Sequence, residues 1–406
     1  MSENKKNILI VTNQFIPYTK SVGGIARIYG FAQKLKKDFN LFILCRKNTY
    51  FGYLGLQNEL NNIETIFIDT HNSNSKIFIT LNSLIKNIIK ILFRNMAYVL
   101  ALDEIRPYKN IFLQNTLKII SKNKIDILII SAPPFSLFSM VNLIKIKFPS
   151  LKIILDYRDG WTQRVSSSYL WILKKVIFRY YEKKYLSCAD LIIASTNTIK
   201  NDLDALIKTK SYLIYNGFLS NNFNNSRINS DGLKEIKIGY FGLLSDSFFS
   251  YRNIDVIYKS SKNIDSLKFH FFGNSNIKKE KYIKNKNFFF YDNVDYHKLS
   301  KEMLKMDYLM IFHTEKATVK EVITGKFFEY LKIGVPIIVI TNGVSEASIL
   351  VNKYNLGLSI DYSKDNLKDF FLSLKKIKIK KNYDFINNFS RDNQNNQLIS
   401  AIKKYC

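Results

Sequence analysis

Cysteine is scarce in this 406-residue chain. There are three, Cys45, Cys188 and Cys406, far apart and with no CxxC pair. An odd count without metal spacing argues against a disulfide scaffold and a thiolate zinc site, and points to reduced thiols in a cytoplasm. Proline (6) and glycine (15) are also few, which excludes a collagen-like or low-complexity chain. Long hydrophobic runs are missing. The most apolar long window, 81–100, contains Lys86, Lys90 and Arg94 and is too charged to span a bilayer. The first residues are polar through Lys6 and then enter an apolar run, so no secretory leader is expected. Acidic residues are outnumbered, 33 against 61 basic ones, giving a formal charge of +28.

Only 10 of the cations are Arg; 51 are Lys, and Asn and Ile are abundant too. Codon drift in an AT-rich genome would raise Lys, Asn and Ile together. The charge nevertheless attracts polyanions. Dedicated nucleic-acid readers cluster Arg with exposed aromatics, a pattern not found here, so no nucleic-acid partner is expected. A Lys excess spread along the chain fits an anionic membrane surface, at about 1 kcal/mol per nearby cation. Two stretches carry that reading further. Ser83 to Leu100 sets Leu84, Ile88, Ile91 and Leu92 at helical spacing, with Lys86, Lys90 and Arg94 between them. Tyr169 to Tyr185 carries Trp171 and several Tyr with Lys174, Lys175, Arg179, Lys183 and Lys184. Basic amphipathic helices with aromatics lie in membrane interfaces. A plain core helix with a Lys-rich outer face is the alternative.

Hydrophobic residues make up 47% of the chain, enough for two cores at about 150 residues per domain. Short apolar runs without alternation recur, as in strands buried on both faces. In the first half they are Asn7–Thr12, Leu41–Cys45, Ile125–Ser131, Lys152–Asp156, Asp190–Ser195 and Ser211–Tyr215. A Gly23-Gly24 loop and a helical pattern (Ile25, Ile28, Phe31, Ala32, Leu35) follow the first. The Asn/Ser-rich tract 220–231 reads as a linker. The rhythm restarts with Ile236–Phe241, Leu267–Phe272, Asn287–Tyr291, Tyr308–His313, Pro336–Thr341 and Leu356–Ile360. This βα alternation predicts an α/β chain of two Rossmann-like, doubly wound parallel-sheet domains. They span 1–218 and 235–382, joined by a linker at 219–234. A last helix in 383–406 has room to pack back on the first domain. Ligands of such sheets bind beyond the carboxyl ends of the strands, so the cleft between two such domains is the default site. GxGxxG and P-loop patterns are absent, which disfavours a standard nicotinamide or phosphate-loop site.

The densest segment is Glu321 to Pro336, EVITGKFFEYLKIGVP. Phe327, Phe328 and Leu331 form an apolar face. Thr324 and Gly325 sit at a helix start, and Gly334 with Pro336 marks its end. Free N–H groups at that start suit a phosphate, and Lys326 in the first turn could reach the same anion. A surface Lys326–Glu329 pair is the plain alternative. Asp156 and Asp159 end the Lys152–Asp156 run and would face the cleft, where Asp159 could orient or deprotonate a hydroxyl. A strand-end turn capping a helix would explain them equally. Asp202 and Asp204 form a lone Asp-x-Asp in a solvated helical stretch, and no metal site is expected there.

TGKFFEYLKIGVPIIVI, preceded by Glu321, resembles the donor-site segment of the large retaining glycosyltransferase family four, which has the GT-B fold. The other motifs follow in register. NILIVTNQFIPYTKSVGGIARIYGFAQKL is similar to that family's first strand, glycine loop and first helix. ILDYRDGWT resembles a stretch of members that build bacterial surface polysaccharides. ADLIIASTNTI, LIYNGF and IGYFGLL resemble the last strands before the hinge and the opening of the second domain. The resemblance covers roughly residues 7 to 360.

It implies that the first domain binds an acceptor and the second a nucleotide-sugar donor. Glu321 would take hydrogen bonds from the donor sugar and Glu329 from the ribose. Lys326, Thr324 and Gly325 would hold the diphosphate, with Arg252 as a second phosphate-binding cation and Gly242 at the opening of the donor domain. Gly23 and Gly24 would bring backbone N–H groups to the diphosphate, with Asp156 and Asp159 on the acceptor side. No metal and no cofactor would be needed; the donor is a substrate, most often a UDP-sugar in this family. The sequence differs in having Leu243 and Leu244 where an Arg is usual, and in lacking a His at SAPPF, Ser131 to Phe135. The implied activity is retaining, metal-independent sugar transfer to a lipid-linked (polyprenyl diphosphate) glycan in capsule or O-antigen synthesis. It would take place in the cytoplasm, on the inner face of the membrane. A sugar-nucleotide epimerase of the same fold and a basic nucleic-acid-binding protein are the alternatives.

Overall fold

The computed structural model describes residues 5–19, 22–47, 60, 63–69, 108–162, 169–207, 211–218, 235–245, 252–273, 277–314, 323–376, 379 and 385–406. The chain divides into two compact units: Met1–Asn216 with Asp392–Cys406, and Gly217–Arg391. The tract 219–234 lies outside the described residues, as does Ser83 to Leu100.

Unit one is built on β1 (Asn7–Val11), β2 (Asn40–Lys47), β3 (Glu64–Asp69), β4 (Ile127–Ala132), β5 (Lys152–Tyr157), β6 (Leu191–Ala194) and β7 (Ser211–Leu213). They form one sheet in the order β3-β2-β1-β4-β5-β6-β7, every pairing parallel. All six residues of β4 are buried, because helices cover both faces of the sheet. The pleat divides the apolar side chains between two cores. Leu9, Val11, Leu128 and Ile130 join Phe112, Val141 and Phe178 on one face. Ile8, Ile10 and Ile129 join Ile25, Ile28, Phe31 and Leu35 of the helix Val22–Asp38 on the other. The final helix, Arg391–Tyr405, adds Leu398, Ala401 and Ile402 to that second core. Each such side chain contributes about 1.5–3 kcal/mol by leaving water.

Two expectations are corrected here. Gly23 and Gly24 do not form a loop; they lie in the first turn of the helix Val22–Asp38. First-turn N–H groups have no intrahelical acceptor in any case, so glycine costs least there. β3 was absent from the strand reading. It is an edge strand with one buried residue, Ile68, so it lacks the uninterrupted apolar signature of the central strands.

Unit two repeats the plan with β8 (Ile236–Phe241), β9 (Leu267–Phe272), β10 (Phe288–Tyr291), β11 (Tyr308–His313), β12 (Ile337–Thr341) and β13 (Gly357–Asp361). The order is β10-β9-β8-β11-β12-β13, again with parallel pairings. Strand order therefore reverses between β1 and β4 in one sheet and between β8 and β11 in the other. Those are the points where doubly wound sheets bind ligands. The helix Gly325–Ile333 links β11 to β12. It buries Phe327, Phe328, Tyr330 and Leu331. It stops at Gly334, whose φ of +77° lets its N–H reach the carbonyls of Tyr330 and Leu331.

Candidate active site

In unit two, the carboxyl end of β8 and the start of the helix Gly325–Ile333 meet. Gly242 follows β8 directly, with a φ of +154° that side chains rarely adopt. A Cβ there would stand 2.1 Å from Lys326 Nζ and 2.3 Å from its Cε, so the lysine lies across the glycine backbone. Gly273 lets that backbone come close, since a Cβ on it would meet Gly242 O at 2.8 Å. Lys326 Nζ donates to the Tyr240 hydroxyl at 2.7 Å and stands 4.1 Å from the ring centroid. Burial, with the Arg252 charge nearby, lowers its pKa to about 7. The charge of Arg252, the second cation named from the sequence, thus acts on this amine.

Among the described residues no side chain caps the helix start. Thr324 is the N-cap in extended conformation, yet its side chain caps nothing. Its Oγ1 is buried without a hydrogen-bond partner. Gly325 is exposed, with open space where a Cβ would be. Glu329 is half-buried on the same helix and makes no ion pair with Lys326, which turns to Tyr240 instead. Glu321 lies outside the described residues.

In unit one, Asp156 ends up inside the protein. It is fully buried, receives Arg27 Nη2 at 2.8 Å and Nε at 2.9 Å, and accepts from Ser131 Oγ at 2.7 Å. Arg27 also donates to the Ile214 carbonyl at 2.6 Å. A carboxylate expected at the open end of the strand is thus committed to the protein's own arginine. The helix Val22–Asp38 delivers Arg27 from its buried side, between Ile25 and Ile28. Asp159 is half-buried on the following loop, and its charge acts on Arg158. Burial lowers the Arg158 pKa. Further along, Glu182 is fully buried and accepts from Thr162 Oγ1 at 2.7 Å, with Arg179 at 3.8 Å. Burial pushes its pKa up to about 7.

Asp204 is held by Lys200 and Ser211. Among the described residues no group of three His, Cys, Asp or Glu could hold a metal ion. Nor is any helix among them long and apolar enough to cross a membrane. The helix Tyr169–Leu186 exposes Val176 (64%), Tyr180 (64%) and Tyr181 (41%), with Lys175, Lys183 and Lys184 also exposed. Tyr240, Arg27 and Glu182 were missed by the sequence reading. Arg27 did leave a signal, a charged residue within an apolar helical pattern.

No family model matches the sequence, and no curated protein matches it. Solved structures do match along nearly the whole chain. The lipopolysaccharide outer core galactosyltransferase WaaB in its apo form aligns at 13% identity and a TM-score of 0.63, covering 98% of this chain and all of that one. Sucrose-phosphate synthase from Thermosynechococcus elongatus aligns at 12% and 0.67, covering 98% and 99%. HepE from Anabaena in complex with UDP aligns at 14% and 0.58, covering 98% and 100%. The chain thus has the two-domain GT-B architecture of these proteins.

Proposed function

We propose that this protein is a glycosyltransferase that moves a sugar from a nucleoside-diphosphate sugar, most readily a UDP-sugar, to a lipid-linked glycan. The observation that carries the reading is the Lys326 amine, with the Arg252 charge acting on it, beside an uncapped helix start at the switch point of the second sheet. A leaving nucleoside diphosphate gains negative charge as the glycosidic bond breaks. Fixed cations and N–H groups that already point at it lower that barrier. In this reading Lys326, Arg252 and the N–H groups of the helix start supply the positive charge, with no metal required. Glu329 binds the ribose, Glu321 the donor sugar, and Thr324 and Gly325 the diphosphate. Asp159 orients the acceptor hydroxyl. Retention follows if the leaving phosphate itself takes the proton.

Support for the donor comes from the solved structures of like fold, one of which holds UDP. Support for a lipid-linked acceptor comes from the exposed apolar and basic residues of the helix Tyr169–Leu186 and from the charge of +28. A role in bacterial surface polysaccharide synthesis at the inner face of the cytoplasmic membrane is consistent with both.

The test is a thermal-shift screen against UDP, GDP, ADP, CMP and NAD, repeated with Lys326→Ala and Glu329→Ala. A ligand at a hundred times its Kd adds about 2.7 kcal/mol. One nucleoside diphosphate should stabilise the parent, and both variants should lose the shift. Transfer from the matching sugar nucleotide to a membrane extract then tests the activity. A parent that no nucleotide stabilises, with or without vesicles, would sink the reading. Flotation with anionic against neutral vesicles tests the membrane part, and equal recovery on both would count against it.

A further inference from the structure

We propose that Tyr240 is the positioning residue of this site, presenting the Lys326 ammonium to the phosphate of the bound nucleotide. The proposal rests on the diphosphate reading above.

Tyr240 sits at the penultimate position of β8 and is buried. Its ring is wedged against Phe312, with centroids 4.7 Å apart, and against Phe271 at 6.2 Å. Its hydroxyl donates to the Leu243 carbonyl at 3.0 Å. The proton is therefore spent, and the lone pairs face Lys326 Nζ at 2.7 Å. A packed ring with a committed proton makes an acceptor that cannot rotate away. The stem of Lys326 reaches it across Gly242, where a Cβ would collide with Nζ and Cε. Together these features fix both where the amine is and which way it points.

The arrangement leaves the amine short of negative charge. Among the described residues no carboxylate pairs with Lys326, and the neighbouring Arg252 charge repels it. Burial and that repulsion bring its pKa to about 7 in the ligand-free site. A diphosphate supplies the missing charge, so binding above neutral pH draws a proton onto the amine. The Tyr240 hydroxyl accepts from the charged form, and its loss lowers the amine's proton affinity further. Hydrogen bonds to charged groups of this kind are worth about tenfold to a hundredfold in binding.

The experiment compares the parent, Tyr240→Phe and Lys326→Ala, using UDP as the probe. Tyr240→Phe keeps the ring and its packing and removes only the hydroxyl. Calorimetry runs from pH 6.5 to 9 in buffers of different ionisation heat. The parent should take up close to one proton per UDP at pH 8, with affinity falling up to tenfold per pH unit above about 7. Tyr240→Phe should bind about ten to a hundred times more weakly at pH 8, with its decline starting at lower pH. Lys326→Ala should bind weakly, with no proton uptake. A second readout needs no ligand: competitive acetylation of Lys326 against pH, read by peptide mass spectrometry, should show a lower midpoint in Tyr240→Phe than in the parent. An unchanged midpoint and an unchanged UDP profile in Tyr240→Phe overturn the proposal, while a loss in Lys326→Ala leaves the diphosphate reading standing. A parent that binds no UDP, GDP or ADP overturns that reading and the proposal with it.

Discussion

Replacing Glu182 by Gln should stabilise unit one at neutral and alkaline pH and do little in acid. Glu182 is fully buried, and burial lifts its pKa from the usual 4.5 to about 7 against the lowering effects of Thr162, Arg179 and Tyr157. Asp202, on the helix Asn197–Asp204, works in the same direction as burial. Between pH 4.5 and about 7 the folded chain holds a proton that the unfolded chain has released. Stability therefore falls as pH rises through that window, and the full cost is present above it. A raise of about 2.5 units at 1.36 kcal/mol each is roughly 3 kcal/mol. Gln cannot ionise, and its carbonyl can still accept from Thr162. Urea unfolding of parent and variant at pH 5, 6, 7 and 8 measures the difference. Both tryptophans, Trp161 and Trp171, belong to unit one, so their fluorescence reports that unit selectively. In a unit of this size the gain at pH 8 corresponds to roughly 6–12 °C in Tm. The difference should shrink steadily toward pH 5. Parallel curves across the pH range, or a variant weaker than the parent at pH 8, would refute the reasoning.

Asp156→Ala leaves the Arg27 guanidinium buried without its counter-charge, and chemical denaturation should show unit one weaker by about 3–5 kcal/mol. Gly242→Ala puts a methyl group where Lys326 Nζ now lies, at a φ of +154° that alanine rarely adopts. It should abolish stabilisation by UDP, and a UDP shift equal to the parent's would contradict the geometry. Cys45 is buried, which pushes its thiol well above the usual range, while Cys188 is partly accessible. A disulfide reagent should therefore label Cys188 in the native protein and reach Cys45 only after unfolding; native labelling of Cys45 would count against the packing of β2.

The central strands were legible because a parallel strand covered on both faces has no reason to alternate. Ile8 to Val11 and Ile127 to Ala132 are apolar almost without a break. β3 was not, because an edge strand keeps water on much of its surface. The helix Gly325–Ile333 could be bounded from sequence, since Gly334 takes the left-handed conformation that ends it. The partners of its site residues could not. Lys326 pairs with Tyr240, 86 positions away, and Asp156 with Arg27, 129 positions away. Local spacing instead offered Glu329 for the lysine and the cleft for the aspartate. Tertiary packing decided both, because the slot over Gly242 and the buried side of the first helix exist only once the sheets have formed.

The helix Arg391–Tyr405 lies after all of unit two in the chain but belongs to the core of unit one. Gln394 receives the Tyr215 amide at 2.6 Å, and Asn395 donates to the Gly30 carbonyl at 2.9 Å. During synthesis, every residue of unit two is therefore joined before Leu398, Ala401 and Ile402, for which unit one still waits. Until they arrive, the apolar face formed by Ile25, Ile28, Phe31 and Leu35 lacks part of its cover. Unit one, although translated first, is thus completed only by residues that follow unit two, and a chain ending after residue 391 would keep every residue of unit two while the first core lacked part of its cover.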